Sequence, residues 1–275
     1  MTYKSVMAFL GLEQVNEAAL RVGCELAERY DSRIIGVTSG TPYVPAQVNV
    51  IVAASMLQAD YDELTLATAR CEARFREAVK PCGRPCTWRA GIDMPADFLA
   101  AEACGADVVV AELSEDIPLL GGQRLLDFGD ALMKVGRPFL LVPPRTISME
   151  LNCVLVAWKD CAEAQRAIVA ALPLLRAARY IAVVELTDSE SDKEAASARV
   201  VDVAGWLSRQ GVTAQARAEL SAGDTGQQLE AIAAEIGATL IVAGAYGTSR
   251  FSEWVFGGVT RRLLKQRSFC ALLMH

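Results

Sequence analysis

The chain repeats itself without a gap. The stretch GIDMPADFLAAEACGADVVVA (91–111) lies over GDTGQQLEAIAAEIGATLIVA (223–243), with Gly91 on Gly223, Gly105 on Gly237, Ala106 on Ala238, Val110 on Val242 and Ala111 on Ala243. Self-similarity of this kind marks one supersecondary unit used twice. Each copy reads as a turn, a helix, a glycine stop and a buried strand. In the second copy Leu229, Ile232, Ala233 and Ile236 recur at helical spacing and form one apolar stripe, after which Gly237 suits a helix C-terminus. The runs DVVVA and TLIVA are continuous rather than alternating, the pattern of a central strand in a parallel sheet covered on both faces.

The beginnings of the halves repeat more weakly. YKSVMAFLGLEQVNEAAL and LNCVLVAWKDCAEAQRAI each read as strand, loop and helix, and in the second Ala164, Ile168, Leu172 and Leu175 make the buried stripe. Another strand follows at RPFLLV in the first half and at FCALLM in the second. Strands that alternate with helices predict an α/β chain with right-handed crossovers: two tandem Rossmann-like domains, each an open, mostly parallel five-stranded sheet flanked by helices. The domains are placed at 1–146 and 150–275, joined through PPRTISMELN (143–152), which carries two prolines and little apolar periodicity. The first half is longer by an insertion at 42–64, readable as a lid, an interdomain contact or an extra helix.

Composition narrows the function. No apolar run reaches the ~20 residues of a membrane-spanning helix, and the opening MTYKSVMAFL makes no export signal, so a cytoplasmic protein is expected. A net charge of −6 offers no global field for nucleic acid or an anionic membrane. The eight cysteines show no two-residue spacing, and Cys82 and Cys86 in CGRPC are the closest pair. An ordinary loop is the reading adopted there, with a disulfide or half a metal site as alternatives. The sole histidine is His275, at the end of the chain, where frayed backbone is expected. Nucleophiles activated by histidine and zinc sites built on it are therefore not expected.

The chemistry concentrates in GAYGTSRFSEWVFGGVT (244–260), which follows the strand TLIVA and precedes a helix beginning near VTRRLLKQ. A helix N-terminus presents unpaired N–H groups and a partial positive charge, and glycines let those groups approach phosphate oxygens. Gly244, Gly247, Gly257 and Gly258 are the candidate backbone contacts, extended by Val259 at the helix start. Ser249 and Thr260 are candidate hydroxyl donors and Arg250 a candidate charge. Spacing alone does not separate a phosphate cradle from a tight turn.

The spacing Gly244-x2-Gly247-x9-Gly257 resembles the ATP-binding pattern G-x2-G-x9-G-[S/T] of the universal stress protein family, and the likeness runs over nearly the whole chain as two domains in series. The resemblance implies an adenine-nucleotide fold, a role in stress survival rather than a defined reaction, and an adenosine bordered by Trp158, Lys159 and Leu186. It implies ATP as ligand, with AMP or ADP as alternatives and Mg²⁺ left open. The chain would be a homodimer or a monomer with pseudo-dimeric halves; any protein partner is unspecified.

Departures are equally specific. Gly258 stands where the pattern carries a hydroxyl, and Lys159 stands where the family carries an aspartate. A lysine accepts no hydrogen bond from ribose and coordinates no cation. In the first half Glu112 stands at the position of Gly244, Leu10 aligns with Lys159, and the glycine spacing is missing. A degenerate first domain follows. Two further readings stay open beside the binding module: a weak nucleotide hydrolase or nucleotidyl-transfer enzyme at the same pocket, and a scaffold without nucleotide.

Overall fold

The computed structural model describes residues 2–43, 49–113, 124–246 and 258–275. Its contacts group into two units, Tyr3–Arg137 and Pro138–His275, the latter joined by the first two residues. The first unit runs β1 (Ser5–Phe9), α1 (Glu17–Tyr30), β2 (Arg33–Ser39), α2 (Val50–Val79), β3 (Cys86–Gly91), α3 (Pro95–Glu102), β4 (Val108–Glu112) and α4 (Phe128–Lys134). The second runs β5 (Phe139–Val142), β6 (Cys153–Trp158), α5 (Ala162–Ala177), β7 (Tyr180–Thr187), α6 (Glu190–Arg209), β8 (Gln215–Leu220), α7 (Thr225–Glu235), β9 (Leu240–Gly244), α8 (Gly258–Lys265) and β10 (Cys270–Met274).

In the first unit the strands lie in the order β3-β2-β1-β4, all parallel. In the second the order is β8-β7-β6-β9-β10-β5, parallel except for the antiparallel pair of β10 with β5. The expected α/β architecture is present, and among the described residues each half of the sequence supplies five strands. The fifth strand of the first half, β5, groups with the second unit through Leu141↔Ala271 and Phe139↔Leu273.

Helix faces follow the apolar spacing. Ala164, Ile168, Leu172 and Leu175 are all buried along α5, and Leu229, Ile232 and Ala233 along α7. Gly237 ends α7 with φ +65°, the left-handed stop that the sequence suggests. Among the described residues, side-chain caps open four helices: Asn49 accepts from the Val52 N–H, Ser189 from Ser191, Asp127 from Asp130 and Asp224 from Gln227.

Residues 50–64 of the insertion form the first half of α2, a single helix of 30 residues. Its core stripe begins only at Leu64 and continues through Ala67, Cys71, Phe75 and Val79, all buried. Ahead of Leu64, Val52, Met56, Leu57 and Tyr61 stand exposed. Among the described residues no helix is long and apolar enough to cross a membrane.

Candidate functional site

Parallel sheets bind ligands beyond the carboxyl ends of strands at the point where the strand order reverses. In the second unit that point lies between β6 and β9: the chain leaves β6 toward β7 and β8, then returns to β9 on the other side. Trp158 ends β6 and Gly244 ends β9.

Packing alone accounts for the glycine at 244. A Cβ there would stand 2.6 Å from the Ala164 nitrogen and 2.8 Å from the Glu163 carbonyl carbon. Either distance is shorter than two backbones tolerate, so the first turn of α5 crosses β9 where a side chain has no room. Gly258 differs. A Cβ there meets nothing within 4 Å, so its missing side chain leaves open space at the start of α8. Val259 is half-buried beside it and Thr260 is buried. Gly247, Ser249, Arg250 and Gly257 lie outside the described residues.

Several polar groups gather on this edge. The Trp158 Nε1 and Glu163 Oε2 atoms are buried and have no hydrogen-bond partner among the described residues. Burial pushes the Glu163 carboxyl up, but its own backbone N–H, the Cys161 thiol, His275 and Arg166 outweigh that and leave it below the usual glutamate range. Lys159 and Asp160 are exposed in the loop that follows β6. Leu186, in β7, is half-buried. One residue earlier, Glu185 is in register with Trp158 and buried. Its carboxylate accepts from Arg199 of α6 at 3.0 Å and 3.2 Å through Nε and at 2.5 Å through Nη2. The paired Glu185, with help from Asp160 and Asp192, holds Arg199 firmly charged.

His275 is not frayed. Its Nδ1 lies 3.0 Å from the Ala245 carbonyl oxygen, and its ring meets Tyr246 edge-on with centroids 6.3 Å apart. Tyr246 itself has φ +58°, a left-handed conformation uncommon for a large residue. Sheet pairing explains the placement. Met274 is in register with Gly244, so the residue after β10 falls beside the residues after β9. The sequence carries no pattern that reveals this, because β9 and β10 are adjacent only once the sheet order is known.

In the first unit the same edge is filled from within. Phe9 pairs with Ala111 as Ala157 pairs with Ala243, which sets Leu10 opposite Trp158 and Gly11 opposite Lys159. This register corrects by one residue the alignment of Leu10 with Lys159. Glu112 does correspond to Gly244, and its Oε2 accepts from the N–H groups of Ala18 at 2.9 Å and Ala19 at 3.2 Å. These are the second and third amides of α1, equivalent in position to the Glu163 and Ala164 peptides that Gly244 meets. Leu12 packs with Leu64, Ala67 and Cys71 across the same end, and Arg124 is paired with Asp60. Asn16 closes the loop, accepting from the Gly11 N–H at 2.9 Å and donating to its carbonyl at 2.8 Å.

A groove of about 790 Å³ opens elsewhere, along α7 and α8, lined by Asp224, Glu230, Ala233, Arg261 and Lys265 and sharing only Gly258 with the strand-end site. Among the described residues, none of its lining side chains has a buried polar atom without a partner, and the strand ends remain the better candidate.

A model of the universal stress protein family matches residues 152–274. A universal stress protein domain thus occupies residues 152–274. Whole-chain likeness extends to solved structures. A universal stress protein from Archaeoglobus fulgidus DSM 4304 is 14% identical, with TM-score 0.73, covering 98% of this chain and 97% of that one. A putative universal stress protein from Pseudomonas aeruginosa UCBPP-PA14 is 14% identical, with TM-score 0.66, covering 99% and 93%. At such identities the likeness is one of fold. A search of curated proteins gives no match. The universal stress protein domain is thus the half whose strand-end edge carries glycine, and the half that the family model does not match is the one with Glu112.

Proposed function

We propose that the universal stress protein domain binds one adenine nucleotide, ATP or its mono- or diphosphate, at the carboxyl ends of β6, β7 and β9, and that the chain acts in the cytoplasm as a stress-response binding module. The contrast between the two units carries this reading. At equivalent register Glu112, Leu12 and Leu64 fill one edge at the ends of β1 and β4, where Ser39 Oγ of β2 is without a partner among the described residues, while the other edge ends in Gly244 and leaves both Trp158 Nε1 and Glu163 Oε2 without partners among the described residues. A buried N–H without an acceptor costs free energy, and a ligand that offers one restores it. The nucleotide fits this edge: Trp158 and Leu186 border its base, and the amides from Gly258 onward face its phosphates. The contacts assigned to Gly247, Ser249, Arg250 and Gly257 are part of the same proposal.

The residues fit a nucleotide better than they fit a tightly held cation. Lys159 supplies no ligand, and Asp160 and Glu163 are the carboxylates that would be available to a nucleotide-bound Mg²⁺. A second reading, slow hydrolysis, draws on one observation: the His275 ring, held at the Ala245 carbonyl, is among the groups that lower the Glu163 carboxyl on this edge.

The test is mass spectrometry of nucleotide released from freshly purified full-length protein, followed by equilibrium dialysis with ATP. One adenine nucleotide per chain is expected. ADP accumulating from bound ATP would favour hydrolysis, and no retention of ATP, ADP or AMP at millimolar concentration would refute the proposal.

A further inference from the structure

Cys24 and Cys82 lie 58 residues apart in sequence and come together in the first unit. Cys24 sits on α1, its thiol 3.7 Å from the Ala78 carbonyl oxygen of α2. Cys82 follows α2 in a turn, and its sulfur lies 3.9 Å from the Cys24 carbonyl oxygen. Adding the C=O and Cα–C bonds puts that sulfur within roughly 7 Å of the Cys24 Cα, inside the range that a modest turn movement closes to disulfide geometry. Both thiols are half-buried, whereas Cys71, Cys153 and Cys270 are buried. Gly83, next to Cys82, has φ +63° and nothing within 4 Å of where a Cβ would stand, so that side of the turn is open.

We infer that Cys24 and Cys82 are an oxidisable dithiol, closed by peroxide-class oxidants into a disulfide that staples α1 to the end of α2. This stands apart from the nucleotide reading and survives its failure.

The environment assigns the roles. Burial, then the neighbouring Cys82 thiol and the carboxylates of Glu28 and Glu25, push the Cys24 thiol up to about 12. Burial and the Glu28 carboxylate also raise Cys82, but the Arg84 backbone N–H, a hydrogen bond with the Cys24 thiol and the Arg84 guanidinium, itself paired with Asp31, pull the other way. Cys82 therefore attacks first. Its thiolate takes the distal peroxide oxygen, the O–O bond breaks, and water or an alcohol leaves, giving a sulfenic acid at Cys82. Cys24 then attacks that sulfur, the S–O bond breaks and water departs with the thiol proton. In sum two thiols lose two electrons and one peroxide is reduced. Scarce thiolate makes the reaction slow near neutrality and faster as the pH rises above it.

The full-length protein is treated with hydrogen peroxide at pH 7 and pH 9, alkylated and digested without reduction. The expected product is a Cys24–Cys82 cross-linked peptide, formed faster at pH 9. In Cys24→Ser, dimedone should trap a sulfenic acid at Cys82; in Cys82→Ser the cross-link should vanish and Cys24 stay alkylatable. A dominant Cys82–Cys86 bond, or Cys24 and Cys82 both still alkylated after peroxide has oxidised Cys104, would overturn the inference.

Discussion

Two glycines that the sequence treats alike do different things. Gly244 has no room for a methyl group, because the first turn of α5 lies 2.6 Å from where its Cβ would be. Gly244→Ala should therefore destabilise the second unit by about 1–3 kcal/mol through overpacking, read as a lower urea midpoint. Gly258 faces open space, and Gly258→Ser should leave stability within about 0.5 kcal/mol while tightening ATP binding severalfold by returning the hydroxyl of the family pattern. Equal stability losses in the two variants would contradict the geometry. Spacing marked both positions because glycine is needed wherever backbones approach closely, whatever approaches. It cannot tell a helix from a phosphate. The same limit hid His275, which reaches the strand-end edge only through the pairing of Met274 with Gly244.

At the scale of elements, the amphipathic helices were readable because their stripes face a sheet. Ala164, Ile168, Leu172 and Leu175 behave as their spacing implies. The first half of α2 was not readable, since Val52, Met56, Leu57 and Tyr61 are exposed and bury no common face. β5 was legible as a strand but its antiparallel partner β10 was not, because four residues carry no direction. The start of α1 shows how one strand residue changes a helix end. Its second and third amides receive no capping side chain from Asn16 and instead donate to Glu112 at the end of β4. Negative charge at a helix N-terminus and charge-assisted hydrogen bonds both favour the carboxylate. Glu112→Gln keeps the shape and an acceptor but removes the charge, and should cost about 1–2 kcal/mol of first-unit stability in urea unfolding followed by Trp88. An unchanged midpoint would mean that these amides gain nothing from the carboxylate.

For the whole molecule, the duplication yields two edges, and in one of them the amides of the first helix turn are already occupied by Glu112. A ligand that binds only folded protein stabilises it by an amount set by its concentration over Kd, about 2.7 kcal/mol at a hundredfold excess, and that stabilisation belongs to the unit that holds it. Hydrogen exchange locates it directly, because amides that need local opening to exchange slow down in proportion. With saturating ATP, peptides spanning 154–166, 240–246 and 258–265 should exchange more slowly. Peptides spanning 5–20 and 108–113 should not change, since Glu112 already occupies the Ala18 and Ala19 amides. In Glu112→Gly, which removes the internal carboxylate, those first-unit amides should exchange faster than in the parent protein without ATP. Leu12 and Leu64 still cover that edge, so ATP should give no compensating protection there. Slowing at 108–113 in the unmodified chain would show a second nucleotide, and with it that Glu112 yields to phosphate rather than standing in for one.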